Sequence, residues 1–171
     1  MIRFVKQLLF FLFLVAMTPL IGCSDEGVGM GKTVTDTNAM PVNLAAEVTK
    51  AKSEHKLLLL EFGSSDACPP CVRFQQEVFS TPQFEAFAAS NLDFVRLDFP
   101  LKVDLRPETR ATNELLSRQF DQDIFPTFIA LDGNGKEFWR IPKNADEDPG
   151  FDALFNPTNF INLMEQLKEK E

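Results

Sequence analysis

Two cysteines three positions apart can close on each other only where the chain between them turns, and Cys68-Pro69-Pro70-Cys71 imposes that turn at a defined point in the pattern. Before it runs Leu57-Leu58-Leu59-Leu60-Glu61-Phe62, a short apolar segment bounded by Gly63-Ser64-Ser65-Asp66, which predicts a buried central strand. After it, Phe74 and Val78 recur at helical spacing. Helix geometry lets the two sulfurs meet across one turn. Cys68 sits at the helix start, where unpaired N–H groups and the helix dipole favour negative charge and lower a thiol pKa. The expectation is that Cys68 attacks and that Cys71, one turn in and shielded, resolves. Pro70 suits an early helical position because its missing N–H would have had no partner there.

Two other readings of the pair are weaker. A metal site needs about four nitrogen or sulfur ligands, usually a second cysteine pair or histidines. The chain has three Cys and one His, and His55 precedes the strand, where it is expected on the solvent-facing side of a helix. No metal is expected. A purely structural disulfide is the other reading, and the strand before and helix after the motif favour redox chemistry over it.

Elements on either side follow from periodicity and turn chemistry. Pro41 to Lys56 carries a modest helical pattern in Val42, Ala45, Ala46, Val48 and Ala51. Thr81-Pro82 reads as an N-cap with proline at the first helical position, and Phe84, Phe87 and Ala88 share one face of the helix it opens. Leu92 to Phe99 predicts a strand, and Thr109 to Asp121 a helix. Thr127 to Leu131 and Lys136 to Ile141 predict strands joined by the turn Asp132-Gly133-Asn134-Gly135. Asn156-Pro157 opens a last helix, flanked by Phe155 and Phe160 at the positions of a hydrophobic staple. Strands separated by helices require a parallel pair, and the hairpin adds antiparallel strands. The predicted fold is α/β, a mixed central sheet with helices on both faces.

The amino terminus carries a different signal. Arg3 and Lys6 form a short basic start, Leu8 to Ala16 is unbroken apolar sequence, and Thr18-Pro19 interrupts the apolar run before Leu20, so residues 1–22 read as a secretory signal peptide. Leu20-Ile21-Gly22-Cys23 resembles the lipobox of bacterial lipoproteins, in which the cysteine becomes the acylated first residue. Ser24 to Met40 is rich in Gly, Thr, Asp and Asn, a tether expected to span on the order of 20–25 Å. The domain proper is then residues 41–171, anchored to a lipid membrane through Cys23 and facing the periplasm or the cell exterior.

Charge narrows the partners. A formal net charge of −8 offers no basic stripe for a phosphate backbone, so nucleic acid is excluded as a partner. The 18 Phe, with one Trp and no Tyr, read as core filling.

The segments Leu57 to Cys71, Phe79 to Phe84, Leu97-Asp98-Phe99-Pro100, Phe125-Pro126-Thr127 and Leu131-Asp132-Gly133 together resemble the bacterial thioredoxin-like family over about Pro41 to Lys168. The resemblance implies a thioredoxin fold, with Pro69 and Pro70 forming the active-site loop and no cofactor beyond the redox-active Cys68–Cys71 disulfide. It implies a cis Pro126 beside the cysteines, and a bound substrate strand pairing with the backbone before it, so that Phe125, Pro126 and Thr127 bind substrate. Thioredoxins also carry a buried Asp that relays protons to the resolving cysteine. Glu61 takes that place if the Gly63 to Ala67 loop holds one extra residue; otherwise it points to water at the strand end.

Two departures from the family bear on function. Ala67 stands where thioredoxins usually have Trp before the first cysteine, and the residues between the cysteines are Pro-Pro, without the His of strongly oxidising relatives. Three functions are consistent with the motif. The first is an enzyme that reduces or isomerises disulfides of exported proteins and is recharged by a membrane thiol electron donor. The second is a peptide-binding module with a permanently oxidised pair, and the third is an oxidant that inserts disulfides.

Overall fold

The structure, a computed structural model, describes residues 40–141 and 150–171. The predicted signal peptide, Cys23 and the tether up to residue 39 lie outside them. Helix α1 (Leu44–Glu54) leads into strand β1 (Leu57–Gly63). Helix α2 (Pro69–Phe74) comes next and continues without a break as a π-helical turn, Gln75–Phe79. Beyond it lie α3 (Pro82–Asn91), β2 (Leu92–Asp98), α4 (Pro107–Gln119), β3 (Thr127–Leu131) and β4 (Glu137–Arg140). A 3-10 turn (Phe151–Phe155) precedes the last helix, α5 (Pro157–Lys168).

The strands form one mixed sheet in the order β2-β1-β3-β4, with β1 parallel to β2 and antiparallel to β3, and β4 antiparallel to β3. Side chains alternate across a strand, so β1 feeds two cores. Leu57 and Leu59 join Phe74, Phe79, Phe84, Phe160 and Met164 under α2, α3 and α5. Leu58, Leu60 and Phe62 join Ala51, Leu116 and Phe120 under α1 and α4. The same parity directs Glu61 and Gly63 to the face on which the cysteine helix lies.

Local chemistry explains the helix ends. Asn43, Thr81 and Asn156 each accept a hydrogen bond from a first-turn N–H, and Pro82 and Pro157 occupy the first helical positions. Helix α4 begins two residues before the predicted Thr109 because Pro107 serves as its first residue. The last strand is shorter than predicted, and the 3-10 turn had no periodic signal to announce it. His55 is exposed as expected but is not part of the helical face: it is the C-cap of α1, in the left-handed region at φ 55°. Among the described residues nine of 14 Phe are buried as core filling, whereas Phe138 is exposed. Phe74 meets the rings of Phe79, Phe128, Phe151, Phe155 and Phe160, with centroids 4.3 to 5.8 Å apart. That cluster clamps the middle of the cysteine helix to the sheet.

Candidate active site

Cys68 is the N-cap of α2, with extended backbone, and Pro69 and Pro70 fill the first positions of the helix. The Cys71 N–H donates to Cys68 Sγ at 3.2 Å, so one of the helix's unpaired donors is aimed at that sulfur. The two cysteines are joined as a disulfide with Cα atoms 5.2 Å apart. Cys71 is shielded as expected, at 3% exposure, and Cys68 is largely covered too in this oxidised state, at 7%.

The loop before Cys68 is strapped to the segment after β2 by two carboxylates acting in opposite directions. Asp98 accepts from the Ser65 N–H and hydroxyl, both at 2.8 Å. Asp66 accepts from the N–H groups of Leu101 at 2.8 Å and Lys102 at 2.7 Å. The Leu101 N–H foremost holds the Asp66 carboxyl below the usual aspartate range, whereas burial pushes Asp98 up against its Ser65 hydrogen bonds.

Glu61 does not point to bulk water at the strand end. It is 2% exposed, and its carboxylate accepts from Arg96 Nε and, at 3.2 Å, from Arg96 Nη2. Arg96 Nη1 donates to Gln75 Oε1. Parallel pairing sets Glu61 beside Arg96 and Gly63 beside Asp98, all four on the face under α2. Burial raises the Glu61 pKa, and the Arg96 guanidinium opposes it.

On the other side of β1, the Phe125–Pro126 peptide is cis. Thr127 pairs with Phe62 at the end of β1, and its hydroxyl donates to the Ile124 carbonyl at 3.0 Å. Phe125 stacks on Phe99 with centroids 5.1 Å apart, and the Phe99 N–H donates to the Gly63 carbonyl at 2.9 Å. The fold therefore gathers Cys68, Cys71, Glu61, Phe125, Pro126 and Thr127 at one end of the sheet. His55 lies before the opposite end of β1, roughly 20 Å away along a strand rising about 3.3 Å per residue. Among the described residues no group of three or more His, Cys, Asp or Glu could hold a metal ion. Nor is any described helix long and apolar enough to cross a membrane.

Sequence reasoning did not single out Arg96, Gln75 or Gly63 as part of this site. Arg96 had a signal, a lone cation between Val95 and Leu97 in a predicted strand, but its partner depends on the strand register. Gln75 had none, because the π-helical turn that carries it has no periodic signature.

The model of the thioredoxin-like domain matches residues 43–147, more than half of the chain. The chain belongs to the thioredoxin-like family. It is 29% identical over 118 residues to the disulfide bond reductase DsbH of Chlamydia pneumoniae, covering 69% of this chain and 71% of that protein. A solved DsbH oxidoreductase superposes with a TM-score of 0.62 at 25% identity, over 77% of this chain and 85% of that one. A disulphide isomerase from Xylella fastidiosa Temecula1 shares the fold, with a TM-score of 0.50 at 18% identity over 72% of this chain and 87% of its own. With this membership and its cysteines already joined as a disulfide at a helix start, the thioredoxin-like chain is a thiol–disulfide oxidoreductase.

Proposed function

We propose that the protein reduces or isomerises disulfides of exported proteins, with Cys68 as nucleophile. The observation that carries this is the Cys71 N–H aimed at Cys68 Sγ at the start of α2, an arrangement that stabilises a thiolate on Cys68 and not on Cys71. The Cys68 thiolate attacks one sulfur of the substrate disulfide, forming a mixed disulfide and releasing the other substrate sulfur as thiolate. Cys71 then loses its proton to Glu61 and attacks Cys68. The Cys68–Cys71 bond forms, the second substrate thiolate leaves, and two electrons have passed to substrate. The Phe125 backbone receives the extended substrate segment, with Pro126 and Thr127 shaping its bed.

The Pro-Pro pair without histidine and the similarity to a disulfide bond reductase support the reducing direction. Exported compartments lack the cytosolic thiol pool, so the oxidised enzyme is recharged by a thiol donor in the membrane. The test is insulin reduction with dithiothreitol as electron source. Wild type accelerates precipitation of the insulin B chain. No acceleration, with retained binding of an extended peptide, would make the chain a peptide-binding module.

Acylation at Cys23 holds the domain at the bilayer as a lipoprotein facing the periplasm or cell exterior, and the several acyl chains of such an anchor give stable attachment. Cys23→Ser is expected to release the domain from washed membranes or to leave an uncleaved precursor. A soluble wild-type protein whose mature chain begins at another residue would remove this part of the proposal.

A further inference from the structure

On the β2 side of β1 lies a cavity of about 100 Å³ that touches Cys71 but not Cys68, Phe125 or Pro126. Its lining runs from buried Glu61 and Ser64, past half-buried Arg96 and Gln75, to exposed Gln76. It therefore connects the resolving sulfur and the buried carboxylate with the protein surface. The Glu61 carboxylate, Ser64 hydroxyl, Arg96 guanidinium and Gln75 amide stand among otherwise mostly apolar walls, and a space of this size with those partners has room for a few waters.

Gly63 lines this cavity and puts no side chain into it. Gly63 points to the face under α2 by the alternation of β1, and a Cβ there would lie 3.3 Å from Cys71 Sγ and 3.4 Å from Glu61 Oε1. Its φ lies outside the left-handed region, so glycine is not required by the backbone. What glycine supplies is the open gap between the carboxylate and the sulfur.

We infer that Gly63 keeps open a hydrated port through which Cys71 and Glu61 exchange protons with solvent on the β2 side, while substrate occupies the β3 side. The inference rests on the proposed roles of Cys71 and Glu61. In the mixed disulfide the Cys71 proton moves to the Glu61 carboxylate and from there to water in the port. Sulfur–sulfur exchange proceeds on the opposite flank of the helix start. Among the described residues, the charged or titratable groups facing this gap are Arg96 and Asp98 from β2 and Cys71 from α2. Arg96 holds the carboxylate toward the gap, and Gln75 holds Arg96. Gly63 and Arg96 are thus positioning residues.

The test uses the reduced protein carrying 2-nitro-5-thiobenzoate on Cys68 and tracks release of the coloured thiolate as Cys71 attacks, across a range of pH. Gly63→Ala is expected to slow release about tenfold near neutrality, part of the 10²–10⁴-fold that positioned proton transfer contributes. The loss should shrink as pH rises and the Cys71 thiol ionises without help. The rate of Cys68 alkylation should not change. A loss equal at every pH would mark a packing defect and overturn the inference, as would an unchanged rate. Val72→Phe narrows the same cavity from the helix side, and it must give the same pH-dependent loss if Gly63→Ala fails to fold. Glu61→Gln separates this inference from the reading beneath it. Slow release in Glu61→Gln with normal release in Gly63→Ala rejects the port and keeps the relay. Normal release in Glu61→Gln with slow release in Gly63→Ala rejects the relay, and the port then serves Cys71 alone.

Discussion

Replacing Cys71 by serine is expected to leave substrate covalently attached, because attack by Cys68 goes forward and nothing resolves the product. Cys68→Ser should capture nothing and lose turnover entirely. The asymmetry comes from the helix start. Cys68 receives the Cys71 N–H at 3.2 Å, whereas Cys71 lies one turn in, 3% exposed, facing a buried carboxylate. An unperturbed thiol of pKa about 8.5 is only about 3% ionised at pH 7, and a helix-start thiol brought to pKa 7 or below is at least half ionised. Iodoacetamide should therefore modify Cys68 of the reduced protein about tenfold or more faster than Cys71 at neutral pH. The check is non-reducing electrophoresis of each variant after incubation with a disulfide-bonded substrate. Capture by Cys68→Ser in place of Cys71→Ser would reverse the assignment.

Arg96→Met is expected to destabilise the fold strongly at neutral pH, by about 3–5 kcal/mol, the usual cost of stripping a buried charge of its partner. Glu61 is 2% exposed and Arg96 supplies its paired donors, so the carboxylate left behind must either stay charged without them or take up a proton. The pH dependence comes from the raised Glu61 pKa. The folded protein holds this proton to higher pH than the unfolded chain, whose glutamate titrates near its usual 4.5. Between those two values the folded state binds more protons, so the Glu61 contribution is full below about 4.5 and falls as pH rises through the folded value. Removing Arg96 widens that window. The Arg96→Met deficit should be small at pH 4.5 and grow toward neutrality, and Glu61→Gln/Arg96→Met should recover most of it. Urea midpoints at several pH values read this out. A deficit independent of pH, or one the double variant does not relieve, would mean that Arg96 acts through packing against Phe79 and Phe94, whose rings lie 5.2 and 5.7 Å from its guanidinium carbon.

Much of this arrangement was legible in the residues because several local signals agreed. Four leucines ending at Gly63, two prolines in a cysteine turn, and Thr81-Pro82 and Asn156-Pro157 each name their own element from short-range chemistry. The mixed sheet followed from where the helices fall between strands. The environment of Glu61 did not. All seven residues of β1 are buried, so no alternation of polar and apolar positions reveals which face Glu61 takes. Its partner is 35 positions away and depends on the parallel register with β2. The gap at Gly63 is equally silent in sequence, since glycine at a strand end reads as the start of a loop. It becomes informative only when Cys71 is seen to return to within contact of it.

The proposed function makes Cys68 and Cys71 a reversible redox pair poised for reduction, and the reduction potential of that pair decides it. The isolated domain is equilibrated in glutathione buffers, quenched by alkylation, and scored for free and bonded Cys68–Cys71. Dithiol enzymes of this chemistry run from about −270 mV for thioredoxin to about −120 mV for the strongest oxidant. A value near the thioredoxin end, with both cysteines titrating together, is the predicted result. A value near the oxidant end, with rapid oxidation of a reduced unfolded protein, would make the protein an enzyme that inserts disulfides and rule out the reducing role.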